Sequence, residues 1–127
     1  MLRVDGEHWI KVGIEYADGV ARLGAVVTNN VSQWSTQPWG IERTSLRLYR
    51  IGQSVVAEAK RASDRNWSFF FIGLVDNKQG VLVKLGLHTA SPIESGSSCW
   101  FAGLLIEDCP NGEPCYHHHS PPAEAEL

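Results

Sequence analysis

The strongest constraint on the fold is an alternation of apolar and polar residues near the start of the chain. Across residues 8–16, one set of alternate positions carries Ile10, Val12, Ile14 and Tyr16, and the other carries Trp9, Lys11, Gly13 and Glu15. A period of two is the period of a β-strand, whereas a helix repeats every 3.6 residues. The alternation therefore predicts a strand with one buried face and one more polar face.

Short apolar runs separated by turn residues continue along the chain. Asp18-Gly19 is typical of a hairpin turn, because glycine tolerates the positive φ that such turns need. About eight strands are predicted: a strand end in residues 3–7, then residues 8–16, 20–28, 44–51, 54–60, 67–75, 81–90 and 100–106. This pattern favours an all-β, antiparallel sandwich.

Three segments carry more specific expectations. Residues 29–43 are polar and are predicted to form a long loop. Residues 67–75 are apolar at nearly every position, which predicts a central strand buried on both sides. A helix over residues 54–62 is the alternative to a strand there, but Val55 and Val56 favour the strand.

Charge and cysteine content exclude several classes of protein. All 11 Lys and Arg residues lie at or before Lys84, which leaves the first 84 residues at +3 and the remainder at −6. A nucleic-acid groove needs clustered cations with aromatic residues between them, and the sequence has no such cluster. It also has no apolar run long enough to span a membrane. The early charges predict no signal peptide, and the odd cysteine count, three, favours reduced thiols in the cytoplasm.

The composition divides the chain at about residue 108. Residues 1–108 are predicted to form one β-sandwich domain, and residues 109–127 an acidic, Pro- and His-rich flexible tail. Cys109, Cys115 and the histidines at 117–119 are metal-ligand types, but their spacing does not match a structural zinc site. We therefore predict no metal site and no cofactor.

Several motifs, in this order, resemble the DUF1349 family, also called the regulation of enolase protein family. They are WIKVGIEY at residues 9–16, AVVT at 25–28, SQWS at 32–35, LRLYR at 46–50 and GLHTASP at 86–92. The resemblance implies a concanavalin A-like lectin/glucanase fold, a jelly-roll sandwich, and no established enzymatic activity.

Two departures from the family pattern lead to further expectations. Gln33 stands where the family usually has Asp, and family members usually carry several strands before the Trp-Ile-Lys strand. The sandwich is therefore expected to be incomplete at its N-terminus. Sheet edges left bare by missing strands would favour self-association.

The candidate ligand-binding residues are Trp9, Lys11, Glu15, Gln33 and Trp34. The first three share one strand face, and concanavalin-like folds often hold a saccharide on a sheet face, an argument by analogy of fold. The alternative is a partly solvated face with an ion pair. Gln33 and Trp34 lie in the predicted loop, where they form a ligand rim or, in the alternative, where the tryptophan folds back over the core.

The remaining tryptophans are assigned structural roles, and the sequence shows no catalytic motif. Trp39 shares the loop alternative of folding over the core, and Trp67 and Trp100 are predicted to be core residues. Glycoside hydrolysis normally needs two carboxylates, but Glu15 stands alone on its face, and no serine has a nucleophile-elbow pattern.

The predicted function is a non-enzymatic ligand-binding or protein-interaction module, with no nucleic-acid or membrane partner. The alternative is a carbohydrate-binding or remnant glycan-processing domain that uses the Trp9, Lys11 and Glu15 face.

Overall fold

The computed structural model describes residues 1–76 and 82–108, and it contains eight strands in these residues. The strands are β1 (Leu2–Arg3), β2 (His8–Ala17), β3 (Val20–Asn29), β4 (Val31–Pro38), β5 (Thr44–Ile51), β6 (Ser54–Arg61), β7 (Ser68–Leu74) and β8 (Lys84–Leu85). They form a five-stranded sheet in the order β4-β3-β2-β1-β8 and a three-stranded sheet in the order β5-β6-β7. The prediction of an all-β, antiparallel sandwich is therefore confirmed.

The hairpin β2–β3 dominates the five-stranded sheet. Its ten residue pairs run without interruption from His8 opposite Asn29 to Ala17 opposite Val20. Asp18 and Gly19 have φ values of 53° and 75°, the positive values that a tight two-residue hairpin turn requires. The predicted turn and the predicted alternation of β2 are both present.

The predicted loop over residues 29–43 was wrong, because residues 31–38 form the edge strand β4. The chain reverses through a single residue, Asn30, which has a φ of 61°, and Asn29 pairs directly with Val31. Asparagine tolerates this left-handed conformation better than other non-glycine residues. The Asn29-Asn30 pair is thus the sequence signal for the β3–β4 hairpin. The polar composition of β4 favoured a loop instead.

The three-stranded sheet has β6 at its centre, and the prediction of a strand rather than a helix at this position is confirmed. A bulge interrupts the β6–β7 ladder between Ala57 and Glu58, so that Ala57 lies opposite Phe71 but Glu58 lies opposite Phe69. The extra residue, Phe70, breaks the alternation of β7. Both Phe70 and Phe71 consequently pack against core clusters between the sheets.

The core lies between the two sheets. Ile10 and Val27 of the five-stranded sheet form one cluster with Val55 of the three-stranded sheet. A second cluster joins Leu23 to Ala59, and Trp39 closes it. Burial of these apolar side chains is the main driving force that holds one sheet on the other.

The strand β7 was predicted to be central and buried on both faces, which is wrong. It is the edge of the three-stranded sheet, and Phe69, Ile72 and Leu74 are more than half exposed. The continuous apolar run has another cause. The bulge turns two successive phenylalanines, Phe70 and Phe71, inward, whereas Phe69, Ile72 and Leu74 are exposed. Val75, which follows the strand, is buried in the core.

Trp67, predicted to be a core residue, lies half-buried outside the core clusters. The guanidinium of Arg47 lies 3.5 Å from the centre of its indole ring. Arg47 also donates to the Tyr49 hydroxyl at 3.0 Å, and that hydroxyl donates to Glu58 at 3.0 Å. Burial raises the pKa of Tyr49, because the charged phenolate is poorly solvated there.

The last two predicted strands are mostly absent. Of residues 82–90, the described part of the strand predicted over 81–90, only Lys84–Leu85 form a strand, and residues 100–106 form none. Trp100 was predicted to be core but is 96% exposed. The predicted tail at 109–127 lies outside the described residues.

No segment of residues 1–76 and 82–108 forms a helix long and apolar enough to cross a membrane.

Truncation of Ile10 tests the core. Ile10→Ala removes a side chain with no exposed surface, so it should lower the free energy of unfolding by about 2–5 kcal/mol. Ile14→Ala is the matched control, because Ile14 lies on the same face of the same strand but is 44% exposed. Urea unfolding of both variants measures the difference. Equal losses of unfolding free energy in the two variants would contradict the placement of Ile10 in the core.

Candidate functional site

The predicted candidates Trp9, Lys11 and Glu15 lie on the outer side of the five-stranded sheet, away from the core. Lys11 is opposite Val26 of β3, which in turn is opposite Trp34 of β4. Residues directly opposite one another share a face. Four of the five predicted site residues are therefore brought to one surface, which we call the outer face: Arg3, Trp9, Lys11, Gly13, Glu15, Arg22, Gly24, Val26, Thr28, Ser32, Trp34, Thr36, Pro38 and Lys84.

Gln33, the fifth candidate, lies on the opposite side of the sheet. It pairs with Val27, which is opposite the buried Ile10. Gln33 is exposed there, on the edge strand β4. The structure therefore does not bring Gln33 together with the other four candidates.

A side-chain hydrogen bond links the edge strand to β2 across the outer face. The indole N–H of Trp34 donates to Oε1 of Glu15 at 2.7 Å. The strand between them is β3, and the carboxylate of Glu15 lies directly over Gly24. A Cβ at position 24 would collide with that carboxylate and would also touch Thr36. The absence of a side chain at Gly24 is therefore what permits the Glu15–Trp34 bond.

Gly24 pairs with a second glycine, Gly13, on β2. A Cβ at position 13 would meet no atom within 4 Å, so the sheet backbone is open to solvent there. Glycine within a strand often marks a place where a ligand approaches the backbone closely. The pair forms a shallow strip with Lys11 on one side and Glu15 on the other.

Two further polar pairs border the strip, and sequence reasoning missed them. Nε of Arg22 donates to Oγ1 of Thr36 at 3.2 Å, and the hydroxyls of Thr28 and Ser32 are 2.8 Å apart. The predicted loop over residues 29–43 gives Ser32 and Thr36 no face on the sheet, so it could not reveal these pairs. The alternation in β4 was the signal that would have placed Ser32, Trp34 and Thr36 together.

The outer face is polar and predominantly cationic. Its strands carry Arg3, Lys11, Arg22 and Lys84, and Glu15 is the only carboxylate on them within residues 1–76 and 82–108. Trp34 is 60% exposed, whereas Trp9 is half-buried. The face therefore combines an accessible aromatic plane, hydrogen-bond donors and one acceptor group.

Trp39 folds back over the core, which was the alternative prediction for the two tryptophans of residues 29–43. It is buried in the core, its indole N–H donates to Oγ1 of Thr44 at 2.9 Å, and Arg61 stacks on its ring at 3.9 Å. Its backbone N–H donates to the carbonyl of Ala21, which holds the chain against the end of β3. Trp39 is thus structural, in contrast to the exposed Trp34.

The corner between β1 and β2 is organised by Asp5. Its carboxylate accepts the backbone N–H groups of Glu7 and His8 and contacts Nδ1 of His8 at 2.8 Å. The Glu7 amide first, and then His8, lower the pKa of Asp5. His8 is therefore occupied in fixing this corner beside the outer face.

No group of three or more potential metal ligands occurs among residues 1–76 and 82–108. The Cys109, Cys115 and histidine cluster lies outside the described residues.

Comparisons with known proteins agree with the motifs in the sequence. A family model described as "Protein of unknown function (DUF1349)" matches residues 1–109. Regulation of enolase protein 1 from Saccharomyces cerevisiae is 52% identical over 40 residues, which cover 32% of this chain and 20% of that protein. A crystal structure of a functionally unknown protein from the same yeast aligns with a TM-score of 0.55 and 29% identity, over 65% of this chain and 45% of that one. The chain thus spans a fifth to under half the length of these relatives.

The two paired glycines provide a matched test of the outer face. Gly24→Ala should displace the Glu15 carboxylate and break its bond with Trp34, because the new methyl group occupies the same space. The indole N–H resonance of Trp34 in an NMR spectrum should shift in this variant. Gly13→Ala meets open space, so it should leave that resonance in place and, by restricting the unfolded chain, leave stability unchanged or raise it by about 0.4–1 kcal/mol. An unchanged Trp34 resonance in Gly24→Ala would contradict this arrangement.

Proposed function

Because the chain belongs to the DUF1349 family, we propose that it is a non-catalytic binding module and that the outer face holds a saccharide. One observation carries the proposal: the Glu15–Trp34 hydrogen bond fixes an exposed indole and a carboxylate beside the open backbone at Gly13. We also propose a cytoplasmic location, which a fluorescent fusion would test.

The side chains of the outer face match the chemistry of a sugar. A pyranose ring has an apolar face that stacks on an aromatic plane, and its hydroxyls both donate and accept hydrogen bonds. Trp34 offers the plane, Glu15 accepts, and Lys11 donates from the other side of the strip. The Glu15–Trp34 bond holds the indole in one orientation before the ligand arrives, which reduces the entropic cost of binding.

The same arrangement favours binding over glycoside hydrolysis. Hydrolysis uses two carboxylates about 5–10 Å apart across the scissile bond. On the strands of the outer face, within the described residues, Glu15 has no second carboxylate beside it, and its own oxygen accepts from Trp34. The proposal therefore assigns Glu15 to holding Trp34 and accepting from a hydroxyl.

Removal of the exposed indole tests the saccharide proposal. A glycan array first identifies a binding sugar, and isothermal titration then measures its affinity for the variants. Trp34→Ala should weaken binding about fivefold or more, because an aromatic stacking contact contributes about 0.5–1.5 kcal/mol and the polar contacts lose their orientation. Stability should change little, since Trp34 is 60% exposed.

Tyr16→Ala is the matched control for this experiment. Tyr16 is an exposed aromatic residue on β2, but it lies on the side of the sheet opposite Trp34. It should leave the affinity unchanged. Failure of the wild-type chain to bind any sugar on the array, or equal losses in the two variants, would contradict the proposal.

A second candidate function, protein association, is favoured by exposed apolar residues. Residues 100–106 are exposed throughout, and within the described residues β7 is an edge strand on which Ile72 and Leu74 are exposed. Asn29 occupies the Leu74 carbonyl at one end of this edge. An edge with unpaired N–H and C=O groups and apolar side chains is a surface for pairing with another chain. The name of the yeast relative suggests enolase as a further partner to be tested by co-elution with the purified enzyme.

Charge placed on this edge tests the second candidate. The wild-type chain should form dimers or larger species at high micromolar concentration in size-exclusion chromatography with light scattering. Ile72→Lys should shift the distribution towards monomer, because a lysine at a sheet edge opposes strand pairing. Ile41→Lys is the control, since Ile41 is 91% exposed but lies outside the strands. A wild-type monomer at these concentrations would rule out self-association through this edge.

A further inference from the structure

A shallow cleft lies at one end of the three-stranded sheet, where β5 begins and β6 ends. Its volume is about 270 Å³, and it is lined by Arg43, Ser45, Lys60, Arg61 and Ala62. The backbone N–H of Ala62 donates to the carbonyl of Arg43 at 2.8 Å, which closes the β5–β6 ladder at this end. The cleft is on the other sheet from the outer face and shares no residue with it.

The register brings Lys60 and Ser45 to the same side of this sheet, since they are directly opposite each other. Arg43 precedes Ser45 by two residues, at the end of the same ladder. No hydrogen bond or ion pair engages the side chains of Lys60, Ser45 or Arg43 among the described residues. Two cationic groups and one hydroxyl are therefore available at a single opening.

Three carboxylates lie nearest to these cations in sequence, and all three are engaged elsewhere. Glu58 shares the face of Lys60, but it accepts from the Tyr49 hydroxyl at 3.0 Å and lies 4.0 Å from the guanidinium of Arg47. Oε2 of Glu42 accepts from both the backbone N–H and the hydroxyl of Ser63, the latter at 2.6 Å. Asp64 accepts from the backbone N–H of Arg61 and lies 3.4 Å from its guanidinium. None of Glu42, Glu58 and Asp64 lines the cleft, so within residues 1–76 and 82–108 no acidic side chain of its lining neutralises Arg43 and Lys60.

Arg61 has a different role from the other two cations. Its Nε donates to the carbonyl of Trp39 at 3.0 Å, and its guanidinium stacks on the Trp39 ring. These contacts hold Arg61 against the core and fix the wall of the cleft. Its positive charge is offset by the paired carboxylate of Asp64, so its role is structural and the proposal does not rely on it.

We propose that this cleft binds a phosphate monoester through Lys60, Arg43 and the hydroxyl of Ser45. A phosphate group carries close to two negative charges at neutral pH and presents three acceptor oxygens, which matches two cations and one hydroxyl donor. Arg43, just before β5, and Lys60 of β6 can each donate to a different oxygen. The volume is below the range of about 300–1,000 Å³ that drug-sized ligands occupy, which fits a small anion.

Titration of the full chain with phosphate ligands tests the proposal. The probes are inorganic phosphate and glycerol phosphate, with glycerol and sodium chloride at matched ionic strength as negative controls. Backbone amide resonances of residues 43–45 and 60–62 should shift and saturate with either phosphate, and with neither control. Lys60→Ala and Arg43→Gln should each weaken binding about tenfold or more, because each removes a charge-assisted hydrogen bond.

Lys84→Ala is the matched control, since it removes the same charge from the other sheet. It should leave the affinity unchanged, and circular dichroism should show all three variants folded. If Lys60→Ala is unfolded, Arg43→Gln decides the matter, because the carbonyl of Arg43 that closes the ladder is retained. Shifts that never saturate, or equal weakening by Lys84→Ala, would show only a general response to charge and overturn the proposal. Saccharide binding by the outer face is measured separately and is independent of either result.

Discussion

The structure depends on the burial of one face of the β2–β3 hairpin against the three-stranded sheet. Ile10 and Val27 contact Val55 in the space between the sheets. Because successive residues of a strand point to opposite sides, fixing one side of β2 also fixes the other. The contact that stabilises the sandwich is thus the one that directs Trp9, Lys11 and Glu15 outward. A shift of one residue in this register would bury the charges and expose the core.

The second sheet uses a break in that alternation. The bulge between Ala57 and Glu58 places Phe70 and Phe71 on the same side, where each fills a different core cluster. The inward phenylalanines of a single edge strand therefore reach both core clusters, the one that contains Val55 and the one that contains Ala59. Without the extra residue, one of the two rings would have to face solvent.

Local features of the sequence could be predicted, and features that depend on distant residues could not. The alternation in β2 and the Asp18-Gly19 turn are encoded within a few residues, so the shared face of Trp9, Lys11 and Glu15 followed from sequence. Gln33 and Trp34 point to opposite sides because residues 31–38 form a strand and not a loop. The register of β4, which the turn at Asn30 fixes, decides that Trp34 is the one on the outer face. Similarly, Arg43 and Lys60 are brought close together only by the pairing of β5 with β6. No short sequence motif predicts that proximity.

The same reasoning explains why apolar runs late in the chain were misinterpreted. A run such as residues 100–106 has the composition of a strand, but a strand exists only where its backbone finds a partner. In the described residues that segment has none, so Trp100 is solvent-exposed despite its apolar neighbours. The apolar composition of β7 likewise could not distinguish a central strand from an edge strand that carries a bulge.

The Glu15–Trp34 bond passes over the intervening strand and ties β2 to β4, so it connects strands that share no backbone hydrogen bond. When an edge strand frays, it usually breaks only the ladder to its immediate neighbour. Here the peeling of β4 must also release a side chain of β2. Local opening of the sheet edge therefore also disrupts the arrangement of side chains on the outer face. The rate at which this surface is lost is therefore set by the local opening of the edge and not by the unfolding of the whole domain.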